Sequence, residues 1–209
     1  MPSRLGSPFC DDLRVGLGSY APNPAHKMIV RIQLAYGVQT IHLTQNFDDL
    51  NERAGSPEVV HLHGELRKIR ALGNHKDIVD IGYSRYWSGP ADQAGDLGYQ
   101  FRSKGNSLYR PDVVLFGEYA PRYAKLNKIF KHIRRDDLII VIGTQGNVLP
   151  VDWLCSKADC PKILVNLHES EHINGLLFQH CFFEQASTAA AKVETLVHEH
   201  VERIRLKHR

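Results

Sequence analysis

The chain has 209 residues, 43% hydrophobic and 23% charged, with a formal net charge of +3. That length buries a sizeable core and favours one domain with an inserted subdomain over two independent ones, and the ordinary composition, free of repeats and low-complexity tracts, excludes a solenoid or a disordered chain. Much of the basic excess lies in the terminal "RIRLKHR", a solvated helix end, and no stretch approaches the roughly 20 apolar residues of a membrane span, so neither nucleic acid nor membrane is expected as a partner.

From Asn23 the pattern becomes legible. "NPAHKMIVRIQLAYG" offers an N-cap Asn, Pro at the first helical position, Ala25, Met28, Ile29 and Ile32 on one face, and Gly37 as a stop. "VQTIHLT" reads as a strand, "DDLNERAG" as a short helix ended by Gly55, and "EVVHLHG" as a second strand. "DDLIIVIGT" (Asp136 to Thr144) is a continuous apolar run, the mark of a strand buried on both faces of a parallel sheet, and "KILVNL" repeats it. "PRYAKLNKIFKHI" and "TAAAKVETLVHEHVERI" carry helical spacing, the second with a stripe of Val193, Leu196, Val197, Val201 and Ile204. Strands alternating with helices predict an α/β fold with a doubly wound, mostly parallel sheet. The stretch from about Ala71 to Tyr109 breaks that rhythm and reads as a small inserted subdomain, between a divergent segment 1–20 and the remainder of a domain spanning 21–209.

Ligands of such sheets sit outside the carboxyl ends of the strands. The residues there are "TQNFDD", "HGE", "GTQGNVLP" and "NLHES", polar and small, as a nucleotide site requires. Cys10, Cys155, Cys160 and Cys181 lack paired C-x-x-C spacing, which argues against a disulfide framework and a structural zinc knot. With no apolar leader in "MPSRLGSPFCDDLR", a cytoplasmic location is expected.

These segments together resemble the sirtuin family of NAD-dependent protein-lysine deacylases. "TQNFDDL" is similar to its T-Q-N-[IV]-D-x-L segment, "LHG" to its catalytic His-Gly, "RPDVVLFGE" to R-P-x-[VI]-V-x-F-G-E, and "GTQGNVLP" to G-T-S-x-x-V-x-P. "PNPAHK" resembles the P-N-x-A-H that opens a helix ahead of them, and "NLHES" an N-x-E after a later strand. Motifs in this order from Ala21 onward are far more specific than any one alone. "NERAGSPEVVHLHGEL" resembles the bacterial members that remove acetyl and succinyl groups.

The resemblance implies a Rossmann-like sheet, NAD as cosubstrate and the acylated lysine of a protein as partner, with nicotinamide and O-acyl-ADP-ribose as products. It implies that Gln45, Asn46 and Asp48 line the nicotinamide and ribose pocket and that His63 is the general base on the ribose hydroxyls. Gly143, Thr144 and Gln145 would face the phosphates and adenine ribose, Asn166 that ribose, and Gln185 with Ala186 the adenine edge. Val114, Phe116, Gly117 and Glu118 would form one wall of the acyl-lysine cleft and Val148 with Pro150 the other, a peptide being held by strand addition. An imidazole suits the base role because it exchanges protons near neutral pH, and the amides and carboxylate contribute by positioning.

Three departures shape further expectations. The family's opening strand and glycine-rich cofactor loop have no counterpart in "MPSRLGSPFCDDLRVGLGSY", so the chain reads as truncated at its N-terminus: a fragment, a mis-started frame or a decayed copy with little turnover. Three absent charge-assisted hydrogen bonds at roughly 1.5 kcal/mol each would weaken NAD binding roughly a thousandfold. The Tyr and Arg that favour acidic acyl groups have no counterpart, and the Ala71 to Tyr109 excursion lacks the four cysteines of a zinc ribbon, so no zinc is expected. His168 replaces the Glu of N-x-E and Gln145 the Ser of G-T-S.

Plainer readings stand beside these. Asp48 and Asn46 could cap the helix at "DDLNERAG", Phe116 could be core, and His61 reads as structural. Two other functions remain open: a catalytically inactive module that binds acyl-peptide or ADP-ribose, and an NAD hydrolase, the latter having no need of a strand-accepting cleft.

Overall fold

The computed structural model describes residues 8–72, 74, 76–86 and 109–209. The chain divides into two compact units, one drawn from Met1–Ala21, His42–Arg53 and Glu58–Arg122, the other from Pro22–Ile41, Ala54–Pro57 and Tyr123–Arg209.

In the first unit, helix α1 (Pro8–Leu17) precedes strand β1 (Leu43–Thr44), the short helix α3 (Leu50–Arg53), β2 (Val60–His61), β3 (Gly64–Ala71), β4 (Ile78–Asp80) and β5 (Tyr109–Val113). β1 and β2 pair in parallel, Leu43 opposite Val60 and Thr44 opposite His61. β4, β3 and β5 form an antiparallel sheet in that order, with an irregularity between Glu65 and Ile69 of β3. Cys10, Leu66 and Val113 make one apolar cluster and Ile69, Ala71, Ile81, Tyr86 and Tyr109 another. The segment expected to diverge carries a structural role: the Arg14 side chain, fully buried on α1, donates to the Leu66 carbonyl and pairs with Asp11.

The second unit holds α2 (Pro24–Tyr36), α4 (Tyr123–Phe130), β6 (Ile139–Ile142), α5 (Val151–Lys157), β7 (Lys162–Asn166), β8 (His180–Phe183) and α6 (Ala186–Lys207). β6, β7 and β8 form a parallel sheet in register from Ile139 against Lys162 to Asn166 against Phe183. α2 begins as its sequence predicts. Asn23 Oδ1 accepts from the backbone of Ala25 and His26, and His26 Nδ1 accepts from the Asn23 amide, a reciprocal cap with Pro24 at the first turn. Met28 and Ile32 of α2 pack with Ile163 and Val165 of β7 and with Ala189, Ala190, Val193 and Val197 of α6, and Arg31 grips Glu194 with two hydrogen bonds of 2.7 and 2.6 Å.

The α/β alternation follows the sequence, but the strands are shorter and the pairing more divided than one continuous sheet. The strand expected over Val38 to Thr44 is reduced to its last two residues, because Gly37 ends α2 at φ 55° and a 3-10 turn spans Gly37–Gln39. The strand expected through "EVVHLHG" stops at His61, and a separate strand starts at Gly64, where φ is 92°. β6 is half-buried along its length rather than buried on both faces, being at the edge of its three-stranded sheet. Of the expected Ala71 to Tyr109 excursion, β4 pairs back onto β3, and 87–108 lies outside the described residues. Among the described residues no helix is long and apolar enough to cross a membrane.

Candidate active site

In the first unit the site is built on the turn that leaves β1. Thr44 Oγ1 accepts from the Asn46 amide at 3.1 Å, and the Leu66 amide donates to the Phe47 carbonyl at 2.9 Å, which bends the chain over the start of β3. Asp48 Oδ1 accepts from the Leu50 amide at 3.0 Å, so this carboxylate caps the entry to α3. Asn46 is exposed, and Gln45 and Asp48 half-buried.

His63 occupies the turn between β2 and β3. Its Nδ1 is 3.0 Å from the Gln45 carbonyl, an acceptor, so Nδ1 is the nitrogen that donates there. His63 is half-buried and its carbonyl accepts from the Val114 amide at 2.8 Å. Gly64 follows because β5 leaves no room for a side chain: a Cβ there would lie 1.9 Å from the Asp112 carbonyl oxygen. His61 is buried, with Nδ1 3.0 Å from the Asn46 carbonyl and Nε2 2.7 Å from Glu52 Oε1.

Beyond β5 the residues expected to touch substrate form a tight turn. Glu118 receives Arg110 Nη1 at 2.5 Å and Nη2 at 3.0 Å and the Leu115 amide at 3.0 Å. The Arg110 guanidinium, with the Leu115 amide, holds the Glu118 carboxyl below its usual range despite partial burial. Gly117 sits at φ 84°, and the turn leaves Phe116 98% exposed, which rules out the core reading for that ring. Val114 is half-buried.

In the second unit, a cleft of about 340 Å³ opens at the carboxyl ends of β6, β7 and β8, with Gly143, Asn166, Gln185 and Ala186 on its walls. Gln185 and Ala186 begin the 22-residue helix α6. The buried Asn166 side chain accepts from the Thr144 amide at 3.0 Å and donates to the Thr144 carbonyl at 2.8 Å, so it shapes the loop after β6. Thr144 Oγ1 accepts from the Gly146 amide at 3.2 Å, and the Gln145 carbonyl accepts from Ser170 at 2.6 Å. Gly143, at φ 64°, has open space where a Cβ would point, room for a ligand to approach the backbone. Gly143, Asn166, Gln185 and Ala186 thus line one cleft, and Thr144 and Gln145 follow Gly143 on the loop after β6. Val148 and Pro150 are exposed and immediately precede α5.

Leu167 of the "NLHES" stretch also lines this cleft, as do Asn23, Glu184 and Ser187, which the sequence did not point to as site residues. Glu184 directly follows β8 and could have been found by the strand-end rule; Asn23 read only as a helix cap. Among the described residues the one set of three metal-competent side chains is Glu52, His61 and Glu65. These donors already serve one another or a cation: His61 meets Glu52, and Lys68 Nζ is 2.7 Å from Glu65. The four cysteines are free thiols, and burial pushes Cys155 up to about 11.

Residues 8–150 match the model of the Sir2 family. The chain is 32% identical to an NAD-dependent protein deacylase of Helicobacter hepaticus over 203 residues, 87% of this chain and 74% of that one. It is 34% identical to an NAD-dependent protein deacylase of Campylobacter jejuni over 187 residues, 88% of this chain and 72% of that one. A solved Sir2 homologue in complex with ADP ribose superposes with a TM-score of 0.72 at 26% identity, covering 94% of this chain and 73% of that structure. A Sir2 homologue in complex with NAD gives 0.65 at 27% identity, covering 88% and 67%. A half-buried imidazole bonded through Nδ1 to the turn after β1, a cleft where three parallel strands end, and a family match over most of the chain agree: the chain belongs to the Sir2 family.

Proposed function

We propose that the protein removes acyl groups from protein lysines in an NAD-dependent reaction, acetyl first and succinyl as a further candidate, releasing nicotinamide and O-acyl-ADP-ribose. The observation that carries this reading is the placement of His63, whose Nδ1 lies 3.0 Å from the Gln45 carbonyl on the turn after β1. Nε2 is the nitrogen proposed to accept a proton from a ribose hydroxyl, whose oxygen attacks the acyl carbon; the acyl C–N bond then breaks, the lysine leaves as the free amine, and one water is consumed overall. Within the first unit Gln45, Asn46 and Asp48 suit the nicotinamide ribose; within the second, the cleft of Gly143, Asn166, Gln185 and Ala186 suits an adenosine, its glycine with open space above the backbone admitting close approach. NAD supplies the activated ribose carbon whose bond to nicotinamide is exchanged for one to the acyl oxygen. Phe116, large and exposed, suits the aliphatic stem of a lysine. That exposure favours a protein substrate over NAD hydrolysis alone.

The test is an assay of residues 1–209 with NAD and acetyl- or succinyl-lysine peptides, following nicotinamide and O-acyl-ADP-ribose by mass spectrometry. Slow but measurable turnover that His63→Tyr lowers by about 10²-fold or more, with unchanged circular dichroism, is the expected outcome. Equal turnover in both proteins overturns the base assignment. No product from the parent chain, with retained ADP-ribose binding, favours the binding module.

We also propose that the enzyme works without zinc in the reducing cytoplasm. Cys10, Cys155 and Cys160 are buried free thiols. Elemental analysis is expected to show less than about 0.1 zinc per chain, whereas a bound structural site would give one.

A further inference from the structure

Two imidazoles, not one, hold the turn after β1. His63 Nδ1 meets the carbonyl of Gln45 and His61 Nδ1 that of Asn46, each at 3.0 Å. The rings differ in what surrounds them. His61 Nε2 is 2.7 Å from Glu52 Oε1, so both of its nitrogens face acceptors, and a neutral ring has only one proton for the two. The His61 side chain is 3% exposed, which leaves water little access to supply a substitute partner. The surrounding charges come from four places. Glu52 lies on α3 with Asp49 before it; Glu65 on β3 is paired with Lys68; and Arg122 donates to the His61 carbonyl at 2.8 Å while approaching Glu65 at 3.9 Å.

We propose that His61 is a lasting imidazolium held by Glu52, and a positioning residue: its Nδ1–H fixes the Asn46 carbonyl and so sets the turn that presents Gln45 and Asn46 to the nicotinamide ribose. Only the cofactor part of this rests on the function proposed above. Burial alone lowers the His61 pKa, but the hydrogen bonds to Glu52 and to the Asn46 carbonyl, with the fields of Glu52 and Glu65, outweigh it and the net direction is up. For Glu52, burial raises and the bond to His61 lowers, with a net fall, in agreement with a charged pair. His61 thus has no lone pair to offer and only holds the turn, while His63, which also holds it, is the one proposed to take the proton.

The experiment is a histidine-selective nitrogen and carbon NMR titration of the full chain without ligand, in EDTA, repeated on Glu52→Gln. His61 is expected to show two protonated ring nitrogens at pH 7 and to titrate above its ordinary range. Glu52→Gln should lower its midpoint by about one pH unit or more, and the amides of Asn46 and Phe47 should move with that same midpoint. A His61 with one protonated nitrogen at pH 7, a midpoint indifferent to Glu52→Gln, or Asn46 and Phe47 amides that ignore the titration each overturns the proposal. So does a ring shift that depends on removing metal with EDTA. For the cofactor part, His61→Asn should weaken NAD binding roughly tenfold while ADP-ribose binding stays within about twofold. Equal losses for both ligands would make His61 merely structural. Failure of the parent chain to bind NAD would count against the proposed function, while the ligand-free titration still decides the charge and the turn.

Discussion

At the scale of single residues, the pair His63–Gly64 joins chemistry to a steric demand. The imidazole needs a turn to bring Nδ1 to the Gln45 carbonyl, and that turn needs a residue at φ 92° whose missing Cβ leaves the Asp112 carbonyl its place. Gly64→Ala combines an unfavourable backbone region with a 1.9 Å overlap against main chain that cannot rotate away. A loss of about 3 kcal/mol in urea unfolding is expected, together with lowered turnover. A variant as stable as the parent would show that β5 shifts to make room. The histidine and glycine were legible in the sequence through their motif; the reason for the glycine was not, because Asp112 is 48 positions away and only tertiary structure brings it close.

At the scale of elements, α2 shows where local chemistry suffices. Asn23, Pro24, His26 and Gly37 each act through neighbours within four residues, so cap, first turn and stop all follow from the sequence. Asn23→Ala is expected to destabilise the protein by about 1 kcal/mol, and Asn23→Ser by much less, in denaturant unfolding. Equal losses for the two would assign the role of Asn23 to the cleft it lines rather than to the cap. β3 is the opposite case. Its apolar residues Leu66, Ile69 and Ala71 do not keep a period of two, since the register shifts between Glu65 and Ile69, and the alternation that marks a strand is lost.

At the scale of the whole molecule, the His61–Glu52 pair predicts how stability depends on pH. His61 is raised above its ordinary 6.5, so its contribution is fully present below about 6.5 and is lost as pH rises through the higher folded value. Glu52 is lowered below 4.5, so its contribution is fully present above about 4.5 and is lost as pH falls through the lower folded value. The difference in melting temperature between the parent and Glu52→Gln should therefore be largest between about pH 4.5 and 6.5 and shrink on both sides. A difference flat from pH 4 to 9 would mean that the pair is not charged.

The sequence by itself determined the α/β alternation, the ends of α2, the apolar stripe of α6 through Val193 and Val197, and the ordered motifs that carry the family. Each is written in residues close along the chain or in a pattern of fixed period. Tertiary structure alone decided that His61 reaches both Asn46 and Glu52, that Asn166 braces Thr144, that Glu118 is gripped by Arg110, and that Asn23 and Glu184 share a cleft with Gly143. These are choices among many polar groups of equal local standing, and a hydrogen bond is selected by which partner the folded backbone brings within about 3 Å, a distance that no spacing along the chain records.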